Sequence, residues 1–155
     1  ETDIQGSSHG SVYYGLKYNS EIVAVSVWRK NKNTLYLDRY ATSCNVIGGM
    51  GKLLKYGKKY ALDNGCNQII TFSDHSVSDG YLYEKLNFEK DCVLRPDYSY
   101  VRQDKREHKF NYRKKRFEND PLLKYKPGLT ESQLAELNGF NKIYDCGKTR
   151  WKIEI

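Results

Sequence analysis

No stretch of this chain approaches the ~20 consecutive apolar residues that a membrane-spanning helix needs, and its first residues lack the charged-then-apolar layout of a secretory signal. A soluble, cytoplasmic protein is the expectation. Cysteine is sparse: Cys44, Cys66, Cys92 and Cys146 form no C-x-x-C pair and have no histidine cluster at metal-finger spacing, which argues against zinc and against a disulfide scaffold. Four small buried thiols in a reducing compartment are expected instead, with no metal bound. Proline occurs only three times, so Pro96, Pro121 and Pro127 stand out as breaks. Repeats and low-complexity linkers are absent, and 155 residues suffice for one ordinary domain with a real core.

What the chain does have is positive charge. The formal net is +7, and residues 91–155 carry 15 Lys/Arg against 10 Asp/Glu, whereas residues 1–90 carry 11 against 9. The excess is densest in Arg102, Lys105, Arg106, Lys109, Arg113, Lys114, Lys115 and Arg116, interleaved with Phe110, Tyr112 and Phe117. Cations for phosphates and flat rings for bases make a plausible DNA-binding surface, against the plainer reading of a solvated basic segment.

Hydrophobic periodicity places the elements. Tyr13 to Lys17 and Glu21 to Arg29 read as two strands joined at Tyr18-Asn19-Ser20, the second alternating Val23, Val25 and Val27 on one face. Leu35 to Tyr40 reads as a third strand. From Gly51 the period becomes helical, with Leu53, Leu54, Gly57, Tyr60 and Ala61 on one face and Lys52, Lys55 and Lys59 on another, until Asp63-Asn64-Gly65 stops it. Gln68 to Phe72 is a short buried strand, and Tyr81 to Leu86 a short helix. This order implies a parallel crossover in a mixed sheet. Tyr98 to Val101 reads as a further strand, and Thr130-Glu131-Ser132-Gln133 has capping-box spacing before Leu134 and Leu137. Lys142 to Ile155 reads as a hairpin turning at Cys146-Gly147-Lys148, with Ile143, Trp151 and Ile153 buried on the main sheet.

The segment "NVIGGMGKLLKYGKKY" puts Asn45, Val46, Ile47, Gly48, Gly49, Met50 and Gly51 between a strand and a helix. Backbone amides gathered at a helix amino terminus favour an anion. The spacing is neither G-x-x-x-x-G-K-[ST] nor G-x-G-x-x-G, so neither a Walker loop nor a dinucleotide fingerprint is present; a tight turn for close helix packing is the plainer alternative.

Together "EIVAVSVW", this loop with its flanks, and "LYEKLNFE" resemble the central part of the GNAT superfamily of acyltransferases, over roughly residues 12 to 90. The resemblance implies a mixed, mostly antiparallel sheet flanked by helices. It implies acetyl-CoA or another acyl-CoA as cofactor, with its pyrophosphate on the amides of Asn45 to Gly51, whose first six positions align with the family's R/Q-x-x-G-x-G/A loop. Asn45 stands where that pattern has Arg or Gln, and Met50 where it has Gly or Ala, which would set a methionine side chain beside the phosphates. Tyr83 falls where many members keep a tyrosine that protonates the departing thiolate. The wider pattern, "LDRYATS", "TFSDHSVSDGYLYEKLNF", "RPDYSYV" and "HKFNYRKKRF" through the closing "DCGKTRWKI", resembles GNAT-type domains of phage homing-endonuclease-like proteins and, distantly, the Mom DNA-modification protein. That implies a DNA partner, a nuclease domain upstream, and a host-cell cytoplasmic setting.

On this reading residues 1–101 form the core, and 102–155 a basic extension with a capped helix and the terminal hairpin, packed as one compact domain. Asp74 and His75 end a strand where α/β sheets present ligand groups, and resemble an acidic segment of the Mom-like branch that would orient an amine or take its proton. The plainer alternatives are loop capping for Asp74 and an exposed loop side chain for His75. Asp38 and Arg39 would border the same cleft or form a surface ion pair. Pro96-Asp97 lacks a downstream acid-x-lysine on a strand, and Asp74, Asp79 and Glu84 make a poor magnesium set, so intrinsic DNA cleavage is not expected. Two functions stand: a DNA-recognition module, or an acyl-CoA-dependent N-acyltransferase acting on a nucleobase or other amine.

Overall fold

A computed structural model of the chain describes residues 11–155. The chain divides into two compact units, Glu1–Leu94 with Lys148–Ile155, and Arg95–Gly147. The division differs from the expected 1–101 and 102–155, and residues 1–10 of the expected core lie outside the described residues.

The first unit is built on a mixed sheet. Strands β1 (Ser11–Tyr18), β2 (Glu21–Asn31) and β3 (Thr34–Thr42) form an antiparallel meander, helix α1 (Gly49–Asp63) crosses over, and β4 (Gln68–Asp74) returns parallel to β3. Helix α2 (Tyr81–Lys85) leads to β5 (Glu89–Leu94). The carboxyl-terminal strand, β9 (Lys148–Glu154), slots between β4 and β5, antiparallel to both, giving the order β1-β2-β3-β4-β9-β5. No described helix is long and apolar enough to cross a membrane.

The helix pattern is borne out. Leu53, Leu54, Gly57 and Ala61 are buried under α1, while Lys52, Lys55 and Lys59 are exposed. Strand β2 alternates as its pattern requires, with Val23, Val25 and Val27 half-buried on one face, while its fully buried side chains are Ala24, Ser26 and Trp28 on the other. Trp28 decides this, because its fully buried ring lies under α1, where a Cβ on Gly57 would stand 2.4 Å from it. The ring nitrogen donates to Ser26 Oγ at 2.7 Å, so the alternate face carries a satisfied polar group into the core. With Leu35, Leu37, Met50, Leu54, Ile69, Phe88 and Trp151, it makes one continuous cluster. Each fully buried aliphatic side chain there contributes about 1.5–3 kcal/mol.

In the second unit, β6 (Tyr98–Arg102) pairs with β7 (Lys105–Glu107) on one side and β8 (Asn141–Tyr144) on the other. Helices α3 (Lys114–Asn119) and α4 (Glu131–Leu137) complete it. Its core is aromatic: Tyr100, Tyr112, Phe117 and Phe140 close around Leu134 and Ala135. The capping box at α4 is formed, with Thr130 Oγ1 accepting from the Gln133 amide at 3.3 Å and Gln133 Oε1 accepting from the Thr130 amide at 2.9 Å.

The terminal hairpin is not formed. β8 belongs to the three-stranded sheet and β9 to the six-stranded one, so Cys146-Gly147 links two sheets instead of turning one. The reason is burial: Thr149 and Trp151 find cover between β4 and β5, whereas Ile143 on β8 remains exposed. The thiols depart from expectation as well, with Cys66 buried, Cys92 half-buried, and Cys44 and Cys146 exposed.

Candidate active site

The two parallel strands at the centre of the larger sheet part company. β3 and β4 pair only from Thr34↔Gln68 to Leu37↔Thr71, where the Thr71 hydroxyl donates to the Leu37 carbonyl at 3.0 Å. Beyond that point β3 runs to Thr42 still paired to β2, and β4 to Asp74 still paired to β9. The facing edges of residues 40–42 and 72–74 therefore carry backbone donors and acceptors with no partner strand between them among the described residues. A β-bulge at Asp38 accompanies the parting: Val27 pairs with Arg39 and Trp28 with Leu37.

The glycine turn stands above this opening. Gly48 caps α1 in the left-handed region (φ 68°), and no side chain caps the helix. Gly49 donates its amide to the Val46 carbonyl (3.0 Å), and Lys52 to that of Gly48 (3.1 Å). The Met50 amide lies beside the Tyr40 hydroxyl, and of this turn the amides of Ile47, Gly48 and Gly51 have no backbone acceptor among the described residues. Gly49 must be glycine-sized: an added Cβ would lie 2.8 Å from Val46 Cγ1 and 3.2 Å from Tyr40 Oη. Met50 does not crowd the phosphate approach as its position in the motif implied, because its side chain is buried in the core. Asn45 and Ile47 are exposed and Val46 half-buried. A pyrophosphate fits this seat: orphan amides at the start of a 15-residue helix, open space where a Cβ on Gly48 would stand, and no acidic side chain in the first turn.

Tyr83 is placed by two tight contacts. Gly80, at φ 86°, starts α2 against the ring of Trp151, where a Cβ would meet Cζ2 at 2.4 Å; the Trp151 ring nitrogen in turn donates to Ser73 Oγ at 2.9 Å. Tyr83 then lies half-buried with its ring centroid 6.2 Å from Trp151 and 5.8 Å from Phe88. Trp151 shares the α1-covered core, so Tyr83 sits on that face of the sheet.

Asp74 and His75 separate. His75 Nε2 lies 2.8 Å from Thr149 Oγ1, whose partner in register is Ser73, on the α1 face. Strand alternation puts Asp74 on the opposite face. Its Oδ1 accepts from both the Ser76 hydroxyl (2.7 Å) and the Ser76 amide (2.9 Å), and its carbonyl receives the Val77 and Ser78 amides. The Ser76 contacts, with Lys148 and His75 adding positive charge, hold the carboxyl below the usual carboxylate range. Asp74 is thus a turn anchor whose carboxylate can attract a cation but is a weak proton acceptor. Asp38 accepts two bonds from Arg29, at 2.9 and 3.1 Å, across the strand pair instead of pairing with its chain neighbour Arg39.

The basic segment lies in the smaller unit, and its aromatic part is corrected. Tyr112 and Phe117 are core residues and cannot stack a base. Three expected phosphate binders have acidic partners: Lys109 with Asp97, Arg113 with Glu131 (3.2 Å), and Arg116 with Asp120 (3.5 Å). Arg102 lies over Phe140, while Lys105, Arg106, Lys114 and Lys115 are exposed. Asp97 is thereby committed to Lys109 and the Tyr98 amide, and no group of three or more His, Cys, Asp or Glu among the described residues could hold a metal.

Comparison with known proteins supports the fold. The chain is similar to a GNAT family acetyltransferase from Elizabethkingia anophelis, solved with acetyl-CoA bound (17% identity over 94% of this chain and 77% of that one, TM-score 0.56). It is similar to the IAA acetyltransferase from Bacillus cereus (17%, 94% and 79%, TM-score 0.56) and to the ribosomal-protein-S18-alanine N-acetyltransferase from Escherichia coli (14%, 96% and 72%, TM-score 0.56). No family model and no curated protein matches the sequence. At these identities the likeness is one of fold, and the chain has the mixed, mostly antiparallel GNAT fold.

Proposed function

We propose that this protein is an acyl-CoA-dependent N-acyltransferase. The observation that carries the reading is the conjunction of two features: the parting of β3 and β4 beyond Leu37 and Thr71, and the glycine turn with free amides at the head of α1. The fold it shares with acetyltransferases, one of them solved with acetyl-CoA bound, supports the same conclusion.

The cofactor would supply a thioester whose acyl carbon an amine attacks, the C–N bond forming as the C–S bond breaks. The amides of Ile47, Gly48 and Gly51 would hold its pyrophosphate. The parted edges of residues 40–42 and 72–74 would hydrogen-bond its amide-bearing arm as a strand does its neighbour. Tyr83 would donate its phenolic proton to the departing thiolate. On the opposite face the Asp74 carboxylate would accept a hydrogen bond from the neutral acceptor amine and orient it, and the proton that the nitrogen sheds as the C–S bond breaks would pass through solvent to restore the Tyr83 phenol.

The narrower resemblance to phage endonuclease-associated domains bears on the acceptor, a nucleobase amine being the form it would take. DNA recognition as the main function ranks second, since Tyr112 and Phe117, the rings expected to meet bases, are buried in the core of the smaller unit. Titrating acetyl-CoA against the melting temperature tests the primary reading: a ligand selective for the native state must raise it, by RT ln(1 + [L]/Kd) in free energy. No shift at millimolar coenzyme would remove it.

A further inference from the structure

The smaller unit carries a second surface. Residues 95–147 hold 12 Lys/Arg against 8 Asp/Glu. On α3, Arg113, Lys115 and Arg116 line a shallow depression of about 430 Å³ with Asn119 and Asp120. Its two guanidinium groups are held before any ligand arrives. Arg113 lies 4.5 Å over Phe110 and pairs with Glu131; Arg116 lies 5.0 Å over Tyr112 and pairs with Asp120. Each guanidinium has five N–H donors, so one acidic partner leaves donors over for an incoming phosphate. The cationic region continues beyond the helix, since Arg102 lies 5.3 Å over Phe140, whose ring is 4.4 Å from Tyr112.

The kind of nucleic acid follows from the rings. A protein that grips single strands offers open aromatic faces for bases. Here Tyr100, Tyr112, Phe117 and Phe140 are buried in the unit's core. Phe110 is exposed, but one face is stacked by His108 (5.0 Å, 20°) and Arg113 lies over the ring. Tyr144, on β8, is exposed but lies against Tyr98 (5.8 Å, 55°), and on α3 itself what remains accessible is charge.

We infer that the α3 surface binds the phosphate backbone of a nucleic-acid duplex, with Arg113 and Arg116 as oriented donors and Lys114 and Lys115 as mobile charges, and without reading sequence. The reading does not depend on the transferase site.

The test is fluorescence anisotropy of the full chain with a labelled 20-base-pair DNA duplex, the RNA duplex and the DNA single strand of the same sequence, across a salt series. Binding to either duplex with log K falling linearly in log salt is expected, and the two duplex arms tell which backbone is preferred. The double variant Lys114→Ala/Lys115→Ala removes two exposed cations without touching an ion pair, and should lower the slope by about two. The same charge loss on α1, Lys55→Ala/Lys59→Ala, should leave it unchanged; circular dichroism confirms that both variants fold. Absence of salt-dependent duplex binding, an unchanged slope in the α3 variant, an equal loss in the α1 variant, or tighter binding of the single strand would each overturn the inference.

Discussion

The Tyr40 hydroxyl lies beside the Met50 amide and 3.2 Å from where a Cβ on Gly49 would stand, setting the end of β3 against the first turn of α1. Burial pushes the Tyr40 phenol above its ordinary value, and the Met50 amide pulls the other way. The hydroxyl offers a polar neighbour to one of the helix's orphan amides and helps to fix the shape of the turn. Tyr40→Phe removes that neighbour and should cost about 1 kcal/mol of stability. A seat that is less well fixed must be ordered on binding, so acetyl-CoA affinity should fall roughly threefold to tenfold. Calorimetric titration beside urea unfolding checks both; unchanged affinity would show that the turn holds its shape without Tyr40.

Gly80 and Trp151 make the tightest contact near the site. A side chain at position 80 meets both a left-handed backbone and a ring 2.4 Å away that is pinned to Ser73. Gly80→Ala should therefore destabilise by about 2–4 kcal/mol, combining the left-handed penalty with overpacking. A loss below about 0.5 kcal/mol in urea unfolding, the range of an ordinary surface change, would mean that Trp151 can retreat.

The elements that sequence periodicity could reach were those whose burial follows their own pattern. α1 buries Leu53, Leu54 and Ala61 and exposes its lysines, and α4 closes its capping box as Thr130 and Gln133 require. In β2 the valines have the better strand propensity, yet Trp28 beside Gly57 sets which face is buried, a contact between residues 29 apart that no local pattern carries. β9 is a strand packed on the main sheet as its pattern suggests, but its pairing escapes local pattern for the same reason, because its partners β4 and β5 lie far upstream. β5, with Glu89, Lys90 and Asp91, shows no apolar alternation of its own and forms a strand as the charged edge of the sheet. At the site, the glycine turn was visible as composition, whereas Tyr40 and the Trp151–Ser73 bond carry no sequence signal and were missed.

Tyr83 is where packing and chemistry can be told apart. Its ring is wedged beside Trp151 and Phe88, and a phenylalanine keeps that ring. If the phenol protonates the thiolate, Tyr83→Phe should lower kcat about a hundredfold, leave the KM for acetyl-CoA unchanged, and move stability by less than about 0.5 kcal/mol. An unaltered kcat would assign the proton to water.

Asp74 supplies the pH dependence. The Ser76 hydroxyl and amide, then Lys148 and His75, hold its carboxyl below the value of about 3.9 expected in the unfolded chain. A depressed folded value means that the native state favours the ionised form. Its stabilisation is therefore complete above about pH 4, the unfolded value, and is lost as the pH falls through the lower folded one. Asp74→Asn keeps an acceptor for Ser76 but not the charge, so the variant should be less stable than the parent at pH 7, and the gap should close in acid. Between about pH 5 and pH 9 Asp74 stays ionised, so the pH–rate profile should keep its shape in the variant. Urea unfolding at a series of pH values, with kcat/KM measured alongside, checks both halves. A gap that widens on acidification would mean that the native state binds the proton more tightly than the unfolded chain. Disappearance of a limb in the neutral range would make Asp74 the base that takes the amine proton, against the contacts that hold it ionised.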